Sequence, residues 1–224
     1  ALSTIAEVVE TVLVVQRQWM YLENIFKGEE ISKQLPNETK LFGKINQQWM
    51  DIMNSFVATP NANKSTHKPG LLKELNVMND ELETIQKALD QYLETKRQVF
   101  PRFYFVSNDD LLEILGQSKN PEAVQIHLLK CFDNIKSLKL EAPAIKSQSQ
   151  KAIGMYSADG EFVYYENAVV LDGPVEVWLG KVEAEMQSTL RTLMGHCRIQ
   201  HKKTKRDKWI NDWQGQLIIA ISQL

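Results

Sequence analysis

Histidine and cysteine are the side chains that most often bind metals or act as nucleophiles, and this sequence has four histidines and two cysteines. His127 and Cys131 lie four residues apart, a spacing that places both side chains on one face of a helix. Two ligands do not make a zinc site, because such a site takes at least three ligands from the protein. We therefore interpret this pair as a partly buried histidine beside a small apolar cysteine.

A second group is formed by His196, Cys197 and His201. Residues 196 and 201 lie about 140° apart around a helix, so they cannot chelate one ion. The sequence has no His-Glu-x-x-His, Cys-x-x-Cys, Gly-x-Gly-x-x-Gly or Gly-x4-Gly-Lys-Ser/Thr motif. These motifs bind zinc, dinucleotides or phosphates through residues at fixed spacing. We expect no catalytic, cofactor or metal site in this chain, and we expect reduced cysteines because two cannot form a disulfide framework.

The one basic stretch runs from Arg198 to Lys208 and carries six lysines and arginines. It is compatible with a contact to phosphate, to an acidic partner or to a filament, but a solvated helix face is the interpretation we favour. The net charge of the whole chain is −2, so no overall basic field attracts nucleic acid or anionic membrane. No apolar run approaches the roughly 20 residues that span a bilayer. We expect neither a nucleic acid nor a membrane as a partner.

Long helices must position these residues, because apolar side chains recur at steps of three and four along much of the chain. Three such stripes run from Ile5 to Phe26, from Phe42 to Phe56 and from Leu75 to Tyr92. Glycine (10) and proline (7) are scarce for 224 residues, which disfavours a sandwich or barrel with many tight turns. The pattern predicts a mainly α fold, with elongated helical bundles of long antiparallel helices.

Two local signals predict helix starts in the middle of the chain. Ser107 precedes Asp110 by three residues, as in a capping box, and Asn120 precedes a proline at the first helical position. Before the first of these starts lies the aromatic block Phe-Pro-Arg-Phe-Tyr-Phe at residues 100–105. We predict that Phe103 is buried there and that Arg102 helps to fasten the long preceding helix to the helix at residues 111–115.

Residues 152–165 change to the period of a β-strand around an Asp-Gly turn, which predicts one β-hairpin. The period of two distributes its large side chains over two faces. A lone hairpin is marginal in water, so we expect one face to rest on helices and the other to protrude as a docking element. The candidate interaction residues are Met155, Phe162, Tyr164 and Tyr165.

The chain divides by these patterns into five consecutive parts. They are an N-terminal helical pair at 1–57, a flexible loop at 58–70, a central helical bundle at 71–150, the hairpin at 151–170 and C-terminal helices at 171–224. The sequence starts at Ala1 without methionine and ends in an apolar segment. We therefore expect it to be a piece of a longer protein, truncated at both ends.

One passage is more specific than periodicity. Residues 85–105, which end in the aromatic block, are followed by Ser-Asn-Asp-Asp-Leu-Leu-Glu-Ile-Leu at 107–115, and together they resemble the linker region (N-terminal region 2) of dynein heavy chains. The Ser-Asn-Asp-Asp version and Lys-Cys-Phe-Asp-Asn-Ile at 130–135 are most similar to axonemal members, those of cilia and flagella. Ile126 departs from the resemblance, since many relatives have proline there. Further segments that agree in order are Asn120-Pro121, His127-Leu128, Met155–Ser157, Val175–Leu179 and Val182-Glu183.

The resemblance implies a mechanical role. In dyneins the linker joins the tail to a ring of AAA+ modules and transmits the ATP-driven power stroke for microtubule-based movement. ATP and Mg would belong to the ring of the parent motor, so this chain itself is expected not to hydrolyse ATP. The implied partners are the AAA+ ring of the same heavy chain and, through the parent protein, other dynein subunits and microtubules. The implied location is the cytoplasm, the cytoskeleton and the axoneme of a cilium or flagellum.

A different function remains open from the residues alone. A helical adaptor or scaffold that binds partner helices would show the same long apolar stripes and the same lack of catalytic motifs.

Overall fold

The computed structural model describes residues 2–142 and 149–223 of the chain. The N-terminal helical pair, the central helical bundle and the C-terminal helices predicted from sequence also include residues 1, 143–148 and 224, which lie outside this range. The described residues are mainly α-helical, with one small antiparallel sheet. The chain forms two compact units, residues 1–95 and 96–224. Among the described residues, no helix has both the length and the apolar character needed to cross a membrane.

The first unit consists of helices whose apolar stripes are buried. They are α1 (Leu2–Phe26), α2 (Glu29–Gln34), α3 (Pro36–Ala58), α4 (Ala62–Thr66) and most of α5 (Leu71–Val99). Trp19 contacts Trp49 with ring centroids 6.1 Å apart, and Phe26 stacks on Phe42 at 5.4 Å. The later residue of α1 contacts the earlier residue of α3, so these two helices are antiparallel where they touch.

The segment predicted to be a loop at 58–70 contains the short helix α4. Asn61 caps it, since its side-chain Oδ1 accepts a hydrogen bond from the backbone N–H of Lys64 at 3.2 Å. Gly70 has a φ of +85°, a left-handed conformation that glycine adopts without strain, and α5 begins at the next residue. The segment is therefore not a loop throughout, while its flexibility stays a prediction.

The second unit contains the end of α5 and a series of shorter helices before the sheet. They are α6 (Asn108–Gly116), α7 (Pro121–Val124) and α8 (Leu128–Cys131), with 3-10 turns at Pro101–Phe105 and Gln125–His127. Both predicted caps are confirmed: Ser107 Oγ accepts from the N–H of Asp110 at 3.2 Å, and Asn120 Oδ1 accepts from the N–H of Ala123 at 3.4 Å. The single helix predicted after Pro121 is interrupted by the second 3-10 turn.

The predicted hairpin is present, but it is part of a sheet of three strands. They are β1 (Ile135–Glu141), β2 (Lys151–Ser157) and β3 (Phe162–Val170), antiparallel in the order β1-β2-β3. Strand β1 lies in the part predicted to be a central helical bundle. Its pairing with β2 has register shifts between Ile135 and Ser137 and between Lys139 and Leu140. Such irregularities break the strict alternation by which a strand is recognised in sequence.

The sheet is attached to α9 (Val175–His201) through one of its edge strands. The backbone N–H of Glu166 donates to Thr189 Oγ1 at 3.1 Å, and the N–H of Asn167 donates to Glu185 Oε1 at 2.8 Å. These donors belong to β3, which is an edge strand of the sheet formed by the described residues. Side chains of α9 thus satisfy edge groups that would otherwise invite another strand.

The end of the second unit is a small apolar cluster. Helices α10 (Arg206–Asp212) and α11 (Gly215–Ser222) pack against the end of α9. Cys197, Trp209, Leu217 and Ile221 are buried together, and Trp209 Nε1 donates to the carbonyl of Cys197 at 3.1 Å. The basic stretch between α9 and α10 is therefore the link between two packed helices.

Candidate functional site

Three aromatic side chains line the outer face of the sheet. Phe162 lies between Tyr156 and Tyr164, with ring centroids 4.6 Å and 4.4 Å away. We call these three residues the aromatic ridge. Tyr164 is 70% exposed, which is unusual for a large aromatic side chain in a folded unit. The ridge is therefore an apolar surface whose three rings pack against one another and which is accessible to a binding partner.

Gly154 makes the ridge possible. It pairs with Tyr164 across the sheet, and a Cβ atom built on it would lie 2.6 Å from Phe162 Cζ and 2.6 Å from the carbonyl oxygen of Val163. The Phe162 ring thus occupies the space that any side chain at position 154 would need. Sequence analysis missed both Gly154 and Tyr156, although the period of two along β2 places them on the same face.

Replacing Gly154 with alanine should destabilise the second unit by about 1–3 kcal/mol, because the added methyl group forces the Phe162 ring off its neighbours. The measurement is native-state hydrogen exchange of the peptides that contain β2 and β3, which reports the stability of the second unit. Gly195→Ala in α9 is the matched control, since nothing lies within 4 Å of a Cβ at that position. The control should stabilise the helix by about 0.5–1 kcal/mol. Equal effects of the two substitutions would contradict the packing of Phe162 over Gly154.

Two of the four predicted interaction residues are buried rather than exposed. Met155 and Tyr165 point to the inner side of the sheet, whereas Phe162 and Tyr164 belong to the ridge. Met155 borders a cavity of about 560 Å³ between the sheet and the helices α9 and α11. Burial raises the pKa of Tyr165, and the nearby Glu185 carboxylate raises it further. Met155 and Tyr165 support the sheet from inside, so a docking contact can involve only the outer pair directly.

A junction of charged and aromatic side chains joins the end of α5 to the helices that follow. Arg97 Nη2 donates to Asn108 Oδ1 at 2.8 Å and to the carbonyl of Val106 at 3.2 Å. Arg102 instead donates to Glu183 Oε1 at 2.9 Å and to the carbonyl of Cys131 at 3.2 Å. The role predicted for Arg102, fastening the long helix to α6, therefore belongs to Arg97.

The same junction reaches α9 through two ion pairs. Lys96 Nζ lies 2.6 Å from Glu176 Oε1, with both side chains mostly buried, and Arg102 pairs with Glu183, about two turns further along α9. Phe103 is fully buried, as predicted, and packs edge-on against Phe100 with ring centroids 5.0 Å apart. Apolar packing and charge pairing thus link the end of α5, the 3-10 turn and α9 in one unit.

The histidine and cysteine predicted to share a helix face are both buried. Burial raises the pKa of the Cys131 thiol to about 11, so the thiol stays protonated at neutral pH. His127 faces Asp110 and Glu113 of α6, and these three are the one group of potential metal ligands among residues 2–142 and 149–223. Sequence analysis missed the two acids, because chain folding, and not spacing within one helix, brings α6 beside His127.

Comparison with known proteins assigns this architecture to a family. A sequence model described as "Dynein heavy chain, N-terminal region 2" matches residues 1–197. The chain belongs to the dynein heavy chain family. Dynein axonemal heavy chain 2 of Mus musculus is 60% identical over 225 residues, and its Homo sapiens counterpart is 58% identical. The dynein-1-beta heavy chain of the flagellar inner arm I1 complex of Chlamydomonas reinhardtii is 46% identical over 224 residues.

These matches confirm the resemblance to axonemal dynein heavy chains. Each of the three alignments covers all of this chain and only 5% of the relative. The chain therefore corresponds to a small part of a very long dynein heavy chain. The aromatic ridge and the junction around Phe103 lie within the matched residues 1–197.

Proposed function

We propose that this chain is part of the mechanical linker of an axonemal dynein heavy chain, which joins the tail to the AAA+ motor ring and transmits the ATP-driven power stroke. The observation that carries the proposal is the match to the dynein N-terminal region 2 over residues 1–197. The relatives' names place them in axonemes and flagella. By analogy the parent of this chain would act on microtubules in the axoneme of a cilium or flagellum.

The structure of the second unit suits an element that transmits force. Salt bridges and buried aromatic side chains connect the end of α5 with α9, and α9 in turn holds the edge of the sheet through Thr189 and Glu185. A load applied to the sheet would therefore pass to helices through several short polar contacts. Such contacts resist small displacements because each has a narrow optimum of distance and angle.

The proposal assigns ATP chemistry to another part of the parent protein. The sequence of this chain has no Gly-x4-Gly-Lys-Ser/Thr motif, whose backbone amides and lysine bind phosphates. ATP and Mg would be bound by the AAA+ ring, and this segment would move in response without hydrolysing ATP. Other dynein subunits would be reached through the parent chain as well.

We assign the aromatic ridge as the docking surface for the AAA+ ring of the same heavy chain. The ridge offers one strongly exposed aromatic side chain, Tyr164, which packs edge-on against Phe162. Exposed aromatic side chains are frequent anchors of interfaces, because they bury a large area at low entropic cost. The AAA+ ring is the expected binding partner of the aromatic ridge. The linker and the AAA+ ring belong to one polypeptide, so their effective concentration relative to each other is high.

Replacing Tyr164 with glutamate in the parent motor should slow microtubule gliding while the segment stays folded. Loss of an interface anchor costs about 2 kcal/mol of docking energy, and glutamate adds the desolvation of a charge. The measurement is gliding speed together with ATPase rate per motor. Phe105→Glu is the matched control, because Phe105 is 76% exposed and belongs to the 3-10 turn at Pro101–Phe105, not to the sheet. Normal gliding and normal ATPase coupling of the Tyr164 variant would contradict docking through the ridge.

A further inference from the structure

Three potential ligand atoms meet between α6 and the 3-10 turn at Gln125–His127. Asp110 and Glu113 lie three residues apart on α6, so both carboxylates project from one side of that helix. The imidazole of His127 comes from the opposing turn. One ligand atom from each residue lies within 4.8 Å of the other two.

The imidazole of His127 is the second observation that points to a ligand. The residue is 4% exposed, and neither Nδ1 nor Nε2 makes a hydrogen bond within the described structure. Each nitrogen lies near a different carboxylate oxygen, at a separation longer than an ordinary hydrogen bond: Nδ1 is 3.7 Å from Asp110 Oδ1, and Nε2 is 3.5 Å from Glu113 Oε2. Buried polar atoms are nearly always paired, so an imidazole with two unsatisfied nitrogens calls for an occupant at its side.

Two other side chains already contact the Asp110 carboxylate, and a ligand bound there would compete with them. Lys130 Nζ lies 2.8 Å from Asp110 Oδ1, and Ser107 Oγ donates to Asp110 Oδ2 at 2.7 Å. These two contacts lower the pKa of the Asp110 carboxyl, with Lys130 the larger cause. The Lys130 side chain is about half exposed and can move into solvent. Its ammonium group marks a position where Asp110 already attracts a cation.

We propose that Asp110, Glu113 and His127 form a binding site for a divalent transition-metal cation of the zinc class. Two carboxylates and one imidazole are a donor set that zinc accepts, with solvent in the remaining position. Tetrahedral ligands about 2.0–2.1 Å from zinc lie roughly 3.3 Å from one another. One nitrogen of the imidazole would bind the cation, and the ligand atoms of the three residues lie within 4.8 Å of one another, so a cation would draw α6 and the 3-10 turn together and fix their spacing.

The experiment is a calorimetric titration of the 224-residue chain with Zn²⁺. Glu113→Gln removes one ligand at a position whose side chain is half exposed, so folding should be preserved. Asp109→Asn is the matched control, because it removes the same charge from the same turn of α6 on an exposed residue. Lys130→Gln removes the competing ammonium group. Circular dichroism of each variant checks that the helices remain.

The wild-type chain should bind Zn²⁺ at one site, and Glu113→Gln should weaken that binding by about 10- to 100-fold or more. Asp109→Asn should leave the affinity within about threefold, and Lys130→Gln should tighten binding. NMR of the imidazole nitrogens should show the His127 resonances shifting with the same titration. Absence of saturable binding would overturn the proposal, as would binding that Glu113→Gln leaves unchanged. A loss of stability in Glu113→Gln without any zinc binding would identify an imidazolium ion pair instead, and would equally overturn it.

Discussion

Phe103→Ala should lower the free energy of unfolding of the second unit by about 3–5 kcal/mol. Phe103 is 0% exposed, and its ring packs edge-on against Phe100 at 5.0 Å. Removing the ring loses apolar burial and leaves a cavity, which neighbours pinned by Arg97 and Arg102 cannot easily fill. The carbonyl of Phe103 itself accepts from Arg97 Nε at 3.3 Å, so a shift of this turn would also weaken the charged junction.

Native-state hydrogen exchange of the peptides around residues 96–132 measures this effect where it arises, because the chain has two compact units and one global transition is not assured. Phe105→Ala is the control, since that ring lies two residues away and is mostly exposed. We expect the control to change stability by less than about 0.5 kcal/mol. Equal protection in both variants would mean that Phe103 is not part of the core.

Local features of this fold were predictable from sequence. The apolar stripes of α1, α3 and α5 are buried as their spacing of three and four residues predicts. The caps at Ser107 and Asn120 were predictable as well, because a cap is a contact between residues three positions apart. Each of these signals is contained within a single turn or a single helix face, so no knowledge of the tertiary structure is needed to find it.

The missed features are those that depend on contacts between distant parts of the chain. Strand β1 is a bulged edge strand whose partner starts ten residues after it ends. Asp110 and Glu113 face His127 only because α6 packs beside the 3-10 turn. Sequence alone could not tell whether Arg97 or Arg102 contacts α6, since either side chain could reach that helix. The direction of the turn at Pro101 determines that Arg97 does so and that Arg102 pairs with Glu183.

The candidate docking surface was half predictable for a related reason. Alternation along β3 separates Tyr164 from Tyr165, but it does not say which face meets the helices. That choice depends on α9, whose Thr189 and Glu185 hold the edge of β3 and bury Tyr165. The strand period and the Asp-Gly turn located the hairpin in the sequence, while the exposure of each tyrosine required the structure.

Glu176→Gln should destabilise the second unit by about 3 kcal/mol, because it removes the carboxylate that pairs with the largely buried ammonium group of Lys96. Glu176 Oε1 accepts from Lys96 Nζ at 2.6 Å, and the two side chains are 6% and 19% exposed. Native-state hydrogen exchange of the peptides around each substituted residue measures the loss. Glu29→Gln is the control, since its pair with Lys33 on α2 is solvent-exposed and should contribute no more than about 0.5 kcal/mol.

The double variant Lys96→Met with Glu176→Leu tests whether this ion pair contributes only stability or also aligns α9 with the end of α5. Buried ion pairs are often replaced by apolar residues at no cost, because desolvation offsets most of the attraction between the charges. We therefore expect the double variant to recover most of the stability lost in Glu176→Gln. If it also retains gliding speed in the parent motor, the pair contributes stability alone. Recovered stability with slowed gliding would show that the pair aligns α9 with the end of α5, and hence that the alignment of these helices, more than their stability, is needed to transmit force.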